Sequence, residues 1–406
     1  MTASYPGDHL SVRHRIFYIV VLGGLTTLGP FTIDLYLPSF PALSKDLGVG
    51  TGAVQVTLTA TTIGFAVGQL LIGPWTDRVG RRIPLVVATA VHIVASLTVA
   101  IAPNYAFLIV GRIVQGGGAA AGAVVAMAVV RDLLGGYPLV RMLSRLALVT
   151  GIAPIFAPVI GSQLLLLFDW RGIFALLAAY GAVLLVASII VVPESHTLER
   201  RAQLRHIKSR HRYLALARDR TFIGACIISA MNFTTVVTYL ASSPFLFQGV
   251  YGLTAQGYGF LFGVNSVGVV ASIQIGARLI KRLGPEWVLF GGITAQIVFA
   301  AAIIALHDGG FLGLLIPLFF MVAAGGLCVP CLQTMAMMNH GERAGTAASV
   351  LGACSFGGGG LIAPIVSQFS ATTPVPMGCL MLAAVTVSML TLWTVVRPTR
   401  HAWAAS

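Results

Sequence analysis

The apolar part of the chain contains a single acidic residue, Asp34. It lies in the first long apolar segment, between Pro30 and Pro38, whereas the other Asp and Glu residues fall in loops or at segment ends. A carboxylate at membrane depth is energetically costly, and it usually faces a cavity where it has a function. We therefore expect Asp34 to carry a proton in an ion-coupled process.

One basic residue, Arg112, is placed inside an apolar segment in the same way. By the direction of their segments, Arg112 and Asp34 are both expected in the outer half of the membrane. An apolar cavity disfavours the charged form of a carboxyl group, whereas a nearby guanidinium favours it. Two interpretations stay open: Arg112 tunes Asp34 and organises polar contacts with Gln115, or it is a structural base satisfied by backbone carbonyls of the first or fifth segment.

Twelve apolar segments must position these two residues. Of the 406 residues, 57% are hydrophobic and 9% are charged, against about 25% charged in soluble proteins. Each segment has about 20 residues, enough to cross ~30 Å of hydrocarbon. We predict an all-α polytopic membrane protein with twelve transmembrane helices in two six-helix halves. The predicted spans 1 to 12 are 16–42, 53–73, 84–102, 106–130, 143–168, 172–192, 221–247, 257–280, 287–306, 311–337, 346–369 and 377–396.

The longest polar stretch, 193–220, is rich in arginine and separates spans 1–6 from spans 7–12. We expect it to be a basic cytoplasmic linker, a composition that is compatible with a helix on the inner leaflet. The predicted domains are an N-terminal half, 1–192, the linker, a C-terminal half, 221–396, and a cytoplasmic tail, 397–406.

The net charge of +13 follows the predicted topology. With both termini in the cytoplasm, nearly all of the 25 Lys and Arg residues fall on the cytoplasmic side. The exceptions are Lys45, Arg171 and Arg112. This positive-inside bias sets the orientation. The charge therefore indicates contact with anionic lipid rather than with nucleic acid. We expect a multi-pass protein of the plasma membrane of a bacterium, with both termini cytoplasmic.

The loop between spans 2 and 3 carries a dense motif of glycines and charges. It consists of Gly73, Asp77, Arg78, Gly80, Arg81 and Arg82. The pattern resembles the G-x-x-x-D-R-x-G-R-R/K signature of the major facilitator superfamily. A degenerate copy, Arg282-Leu283-Gly284, follows span 8, with Lys281 in the place of Asp77. Such internal duplication is the common plan of secondary transporters.

Spans 4 and 5 resemble the twelve-span drug:proton antiporter division of that superfamily. Span 4 contains Arg112, Gln115 and Gly116, similar to R-x-x-Q-G. Span 5 is similar to the antiporter motif, although Ala157 and Ser162 replace its flanking glycines. The matching residues are Gly151, Pro154, Pro158 and Gly161. Proline permits a helix to bend, and small residues let helices approach closely.

The stretch 33–41 resembles the bicyclomycin/chloramphenicol-resistance (Bcr/CflA) branch of the division. That resemblance implies a proton-coupled efflux antiporter for antibiotics, working by alternating access with Asp34 as proton carrier. It implies no cofactor, a small-molecule drug, H+ and lipids as partners, and a monomer. A multidrug relative has a second span-1 carboxylate where this chain has Thr26. We therefore expect exchange of one proton and weaker handling of cationic drugs.

The resemblance also implies a cytoplasmic latch formed by Asp77, Arg81, Arg131 and Glu194. His92 in span 3 is expected to be a packed or hydrogen-bonded histidine rather than a proton relay. Candidate groups for the substrate cavity are polar or aromatic residues in the spans, for which lipid-facing or packing roles are equally compatible: Tyr36, Gln115, Asn232, Phe233, Tyr239 and Asn265.

Other function classes fit the sequence less well. An enzyme would need a catalytic cluster near a membrane face, and a primary pump would need a nucleotide-binding motif, and we find neither. A channel is disfavoured because repeated halves with one proline-rich span favour alternating access. The alternative that stays open is a proton-coupled exporter of an endogenous metabolite or amino acid.

Overall fold

The computed structural model describes residues 12–195, 216–340, 344–366 and 373–397. Within these ranges the chain forms twelve long helices, of which eleven are long and apolar enough to cross a membrane. The other one has 23 residues and is therefore about 35 Å long. The all-α polytopic fold is confirmed. Spans 1 to 12 are Val12–Asp34, Thr51–Val79, Arg82–Ala100, Tyr105–Leu133, Gly136–Leu164, Trp170–Val191, Arg220–Pro244, Ala255–Leu283, Pro285–Ala305, Gly310–Met338, Ala344–Val366 and Val375–Thr391.

The spans group into two compact units. The first unit contains span 1 to Tyr36 and the chain from Ala60 through span 6; the second contains spans 7–12 together with Leu37–Thr59. In the second unit, the Gln55 side-chain amide donates to the carbonyl oxygen of Ala241 at 3.1 Å. The domain boundaries at 192 and 221 stay a prediction, and most of the predicted linker and tail lies outside the described residues.

Span 1 ends at Asp34, whereas the sequence predicts one span to residue 42. After a short turn, the chain forms a 3-10 turn, Leu37–Ser39, and a separate helix, Phe40–Leu47. Pro38 and Pro41 explain the break, because proline lacks an N–H and disfavours helical geometry at the preceding residue. Asp34 therefore sits at a helix C-terminus, where unpaired carbonyl groups concentrate partial negative charge.

Span 4 packs closely on its neighbours through glycines. A methyl group on Gly116 would overlap the carbonyl oxygen of Thr61 in span 2, and one on Gly122 would overlap that of Leu25 in span 1. Small residues at such crossings let helix backbones touch, which is the main source of helix association in lipid. This packing fixes the position of Arg112 one turn before Gly116.

A side chain at Gly116 should therefore destabilise the first unit. We expect Gly116→Val to cost at least ~1–3 kcal/mol, because the neighbour is backbone and cannot rotate away. The measurement is the melting temperature of the purified protein in detergent. Gly291→Val in span 9 is the matched control, because a Cβ at Gly291 meets no atom within 4 Å. Equal losses in the two variants would contradict this packing argument.

Candidate functional site

Asp34 is buried without a partner. Its exposed fraction is 6%, and the carboxyl group forms no ion pair or side-chain hydrogen bond with any residue that the structure describes. Span 5 packs against the chain next to Asp34, because Gly161 lies directly against the carbonyl oxygen of Leu35. A charge on an isolated buried carboxylate is costly, so the arrangement suits a group that exchanges a proton.

Arg112 is fully buried and contacts groups other than Asp34. Its Nη1 donates to the carbonyl oxygen of Thr32 at 3.1 Å and to Oε1 of Gln115 at 2.7 Å. The guanidinium carbon lies 4.1 Å from the ring centroid of Tyr36 and 5.3 Å from that of Phe174. Such stacking stabilises a cation in a dry site. The expected contacts with Gln115 and with a span-1 carbonyl are therefore both present.

Arg112 has two further nitrogens that carry N–H groups. Among the described residues, neither Nε nor Nη2 has an acceptor, although both are buried. These two nitrogens lie on one edge of the planar guanidinium, the edge that binds a carboxylate with two parallel hydrogen bonds. A role for Arg112 in proton coupling stays a prediction, because the structure shows no direct contact with Asp34.

The ends of spans 2 and 4 and the residues after span 6 meet at Arg81. The guanidinium donates to Asp77 at 2.9 Å and to Asp132 at 2.9 Å, and the Arg81 backbone N–H donates to Glu194 at 2.9 Å. Burial acts to lower the pKa of Arg81, but the carboxylates of Asp132 and Asp77 raise it above its ordinary value. Three of the four predicted latch residues are thus brought together within the first unit.

Arg131 does not join this cluster, which is a correction to the expected latch. Asp132, the next residue, occupies that place, and its side chain is only 7% exposed. One position along a helix is a rotation of about 100°, so only one residue of the pair can face Arg81. The sequence shows both residues but does not show which one faces inward.

The other residues of the 2–3 motif have separate roles. Gly80 ends span 2 with a φ of 110°, a conformation that favours glycine. Arg82 donates from Nη2 to the carbonyl oxygen of Ile189 at 2.7 Å, whereas Arg78 is exposed. Gly73 lies within the span 2 helix. Gly284, in the degenerate copy after span 8, also has a positive φ, of 79°, so the repeat survives in the backbone.

The proline motif of span 5 lies inside one continuous helix. Pro154 and Pro158 are both internal to Gly136–Leu164, and Gly151 lies one turn before Pro154. Each proline removes a backbone hydrogen bond from the helix. Immediately before the motif, Thr150 donates to the hydroxyl of Thr26 at 2.9 Å. Thr26 therefore anchors span 1 to span 5.

The predicted cavity residues lie in separate clusters. In the first unit, Tyr36 and Gln115 contact Arg112. In the second unit, Asn265 donates to Tyr239 at 2.9 Å, and Gln296 donates to Asn232 at 3.1 Å. Phe233 packs on the ring of Phe356 with centroids 4.5 Å apart. Asn265 also lines an apolar groove of about 400 Å³ between spans 8 and 10.

Asp219 forms a polar cluster in the second unit that the sequence did not suggest. It caps span 7 by accepting from the Thr221 N–H at 2.8 Å, and it accepts from Asn339 and His340 at 3.1 and 3.0 Å. Partial burial acts to raise the pKa of Asp219, but these hydrogen bonds and His340 lower it below its ordinary value. The only sequence signal was an acidic residue before an apolar run, which is typical of an N-cap.

Comparison with known proteins identifies the family. Residues 22–364 match the model of the Major Facilitator Superfamily. The chain belongs to this superfamily. The transporter is 33% identical to the MFS-type transporter YdgK of Bacillus subtilis (strain 168), over 93% of this chain and 95% of that one. It is 30% identical to the bicyclomycin resistance protein homolog of Haemophilus influenzae, over 93% and 96%.

A solved structure has the same fold. The D-xylose-proton symporter superposes with a TM-score of 0.73 at 17% identity, covering 95% of this transporter and 98% of that chain. The chain is thus a multi-pass membrane transporter and not an enzyme.

Loss of the buried carboxylate beside Arg81 should destabilise the transporter. Asp132→Asn leaves the guanidinium with Asp77, whose side chain is 37% exposed. Breaking a buried pair costs about 3–5 kcal/mol, which should appear as a lower melting temperature in detergent. Arg131→Gln is the neighbouring control and should cost less than about 1 kcal/mol. A larger loss in Arg131→Gln would instead support the latch expected from the resemblance, in which Arg131 takes part.

The Asp219 cluster should make stability depend on pH. Because the folded pKa of Asp219 is lowered, its contribution is present above the unfolded pKa of about 3.9 and is lost as pH falls through the lower folded value. We expect Asp219→Ala to reduce stability at neutral pH by more than the ~1 kcal/mol of a simple N-cap. Asp169→Ala is the control, because Asp169 caps span 6 but is 63% exposed. Similar melting temperatures of the two variants at neutral pH would argue against a special cluster.

Proposed function

We propose that this transporter exports small molecules, of the chloramphenicol or bicyclomycin kind, in exchange for protons. The observation that carries the proposal is Asp34, which is buried in span 1 with no ion pair or side-chain hydrogen bond among the described residues. A group so placed is maintained at an energetic cost, and proton exchange is the chemistry that a lone membrane carboxyl group offers. The resistance named for the Haemophilus influenzae relative supports the substrate class.

The mechanism is competition at Asp34. The carboxyl group holds either a proton or a substrate contact, and alternating access exposes it in turn to the two sides of the membrane. Arg112 assists because no described residue accepts a hydrogen bond from the Nε–Nη2 edge. When Asp34 is ionised, that edge can take the carboxylate in a bidentate pair. Protonation breaks the pair, whereas the contacts of Nη1 with Thr32 and Gln115 persist in both states.

One proton is exchanged in each cycle. In span 1, the position of a second carboxylate is held by Thr26, whose hydroxyl donates to the Gly23 carbonyl oxygen at 2.7 Å. Exchange of a neutral drug for one proton moves one charge across the membrane, worth about 2.3 kcal/mol per 100 mV. Exchange of a monovalent cation for one proton is electroneutral. The membrane potential therefore favours neutral substrates.

The remaining assignments complete the proposal. The proton gradient is the energy source, so no cofactor is required. The protein works as a monomer among lipids of the bacterial plasma membrane, with both termini cytoplasmic, and it does not act on nucleic acid. The Arg81 cluster belongs to the cytoplasmic gate, as a network that biases the equilibrium between states. The second candidate is export of an endogenous metabolite or amino acid, which a substrate screen separates from drug export.

The decisive experiment is transport in liposomes with an imposed pH gradient. We expect the purified wild-type protein to move a neutral chloramphenicol-like drug against its concentration gradient. Asp34→Asn should reduce gradient-driven movement to the level of protein-free liposomes, because the amide cannot carry a proton. Asp46→Asn is the control, since it makes the same chemical change at an exposed residue of the helix after span 1.

Three outcomes of this experiment would contradict the proposal. Normal uphill export by Asp34→Asn would refute Asp34 as proton carrier. Movement that ignores the gradient in both proteins would indicate a facilitator. If no drug moves while an amino acid or metabolite does, the second candidate is correct.

A further inference from the structure

Arg112 stands at the end of a chain of buried hydrogen bonds that crosses from span 4 to span 3. The Gln115 amide accepts from Arg112 Nη1 at 2.7 Å and donates from Nε2 to Ser96 Oγ at 2.8 Å. Ser96 in turn donates to the carbonyl oxygen of His92 at 2.7 Å. All four residues are buried, with His92, Ser96, Arg112 and Gln115 at 0% exposure.

We propose that Ser96 and His92 are positioning residues for Arg112, which hold Gln115 so that the Nε–Nη2 edge of the guanidinium stays open for Asp34. This inference rests on the proposed function, because it concerns how Arg112 serves proton exchange at Asp34. Neither residue touches the proton or the substrate; both act through Gln115.

Ser96 sets the direction of the Gln115 amide. Its hydroxyl has one proton, which is donated to the His92 carbonyl oxygen, so Ser96 Oγ can only accept from Gln115. The amide must therefore turn its NH₂ group toward Ser96 and its oxygen toward Arg112. In the flipped orientation the NH₂ group would face the guanidinium, which has only donors. Arg112 would then lose its anchor at Nη1.

His92 holds the backbone of the same residue. Its Nδ1 lies 3.2 Å from the carbonyl oxygen of Gln115. A carbonyl oxygen only accepts, so the proton of the neutral ring is on Nδ1. Nε2 lies 3.4 Å from Ser96 Oγ, a weak contact because the Ser96 proton is already donated elsewhere. The ring is therefore a fixed donor rather than one step of a relay.

Close packing prevents this arrangement from relaxing. A methyl group on Gly118 would lie 2.7 Å from the backbone nitrogen of His92, so spans 3 and 4 are in backbone contact. The ring edge of His92 also faces Gly181 of span 6, where an added Cβ would lie 3.3 Å from Cδ2. Small residues on both sides leave no space for a second rotamer.

The titratable groups around this chain are few. His92 faces Arg112 from span 3, Tyr36 faces it from the end of span 1, and Asp34 belongs to the same end of span 1. From span 6, Tyr180 hydrogen-bonds to the Thr27 hydroxyl at 2.8 Å and not to Arg112. A change in the pH dependence of substrate binding therefore reports on the protonation of Asp34 and on how Arg112 stabilises its ionised form.

The test is the pH dependence of binding of a chloramphenicol-like drug to purified full-length protein. Ser96→Ala removes the acceptor for Gln115, and His92→Leu removes the donor to its carbonyl oxygen. Both should move the midpoint pH of binding upward by about one unit, equivalent to a tenfold weaker hold on the ionised Asp34. His92→Asn should keep the wild-type midpoint, because the Asn Nδ2–H takes the place of the Nδ1–H.

A purely structural role would lower the yield or melting temperature without moving the midpoint, and that result in folded Ser96→Ala protein would overturn the proposal. A His92→Asn midpoint equal to that of His92→Leu would overturn it also, because a donor to the Gln115 carbonyl oxygen would then not set the midpoint. The ¹⁵N NMR signal that disappears in His92→Asn should show the Nδ1–H tautomer in the wild type. The Nε2–H tautomer would contradict the contact with Gln115.

The proposed function fails in a different way. If the pH dependence of binding in the wild type persists in Asp34→Asn, Asp34 is not the titrating group and the proton-exchange proposal is wrong. The NMR tautomer then still decides whether His92 holds Gln115.

Discussion

A guanidinium buried in the membrane part of a protein must find its partners within the protein, and the first unit of this transporter is organised by that requirement. Insertion of an uncompensated Arg near the middle of a bilayer costs roughly 2.5–3.5 kcal/mol. Here Arg112 is stabilised by one carbonyl oxygen, one side-chain amide and two aromatic faces, while Nε and Nη2 have no acceptor among the described residues. None of the partners is a carboxylate. Asp34 forms no ion pair with a described residue.

These contacts are possible only because the helices approach to backbone distance. Gly116 and Gly122 bring span 4 against spans 2 and 1, and Gly161 brings span 5 against the residue after Asp34. The termination of span 1 at Asp34 contributes as well, because the chain turns there and places Tyr36 over the guanidinium. The small residues thus allow the helices to approach closely, and the prolines end span 1, so that the polar side chains come into contact.

The sequence predicted the twelve spans and the buried acid and base, since each depends on composition. The resemblance implied the pairing of Asp77, Arg81 and Glu194 near the 2–3 motif. The sequence did not predict the features that depend on rotation and tertiary context. Arg131 and Asp132 are adjacent, and only the helix phase decides that Asp132 meets Arg81. The end of span 1 at Asp34 was also missed, because apolar residues continue to residue 42 and hydropathy does not register a local break. Asp219 and His340 are far apart in the chain, so their contact left no signal.

The two units have diverged in the kind of polar group that they bury. The first buries a carboxyl group, a guanidinium and an imidazole, whereas the second buries neutral amides and hydroxyls, such as Asn232 with Gln296 and Asn265 with Tyr239. The degenerate motif after span 8 shows the same trend, since Lys281 stands in the place of Asp77. Neutral donors and acceptors recognise uncharged substrates without a charge to desolvate, whereas Asp34, the acid buried in a described span, lies in the first unit. Under the proposed function, proton exchange would belong to the first unit, and the buried neutral groups of the second unit would supply polar contacts for an uncharged drug.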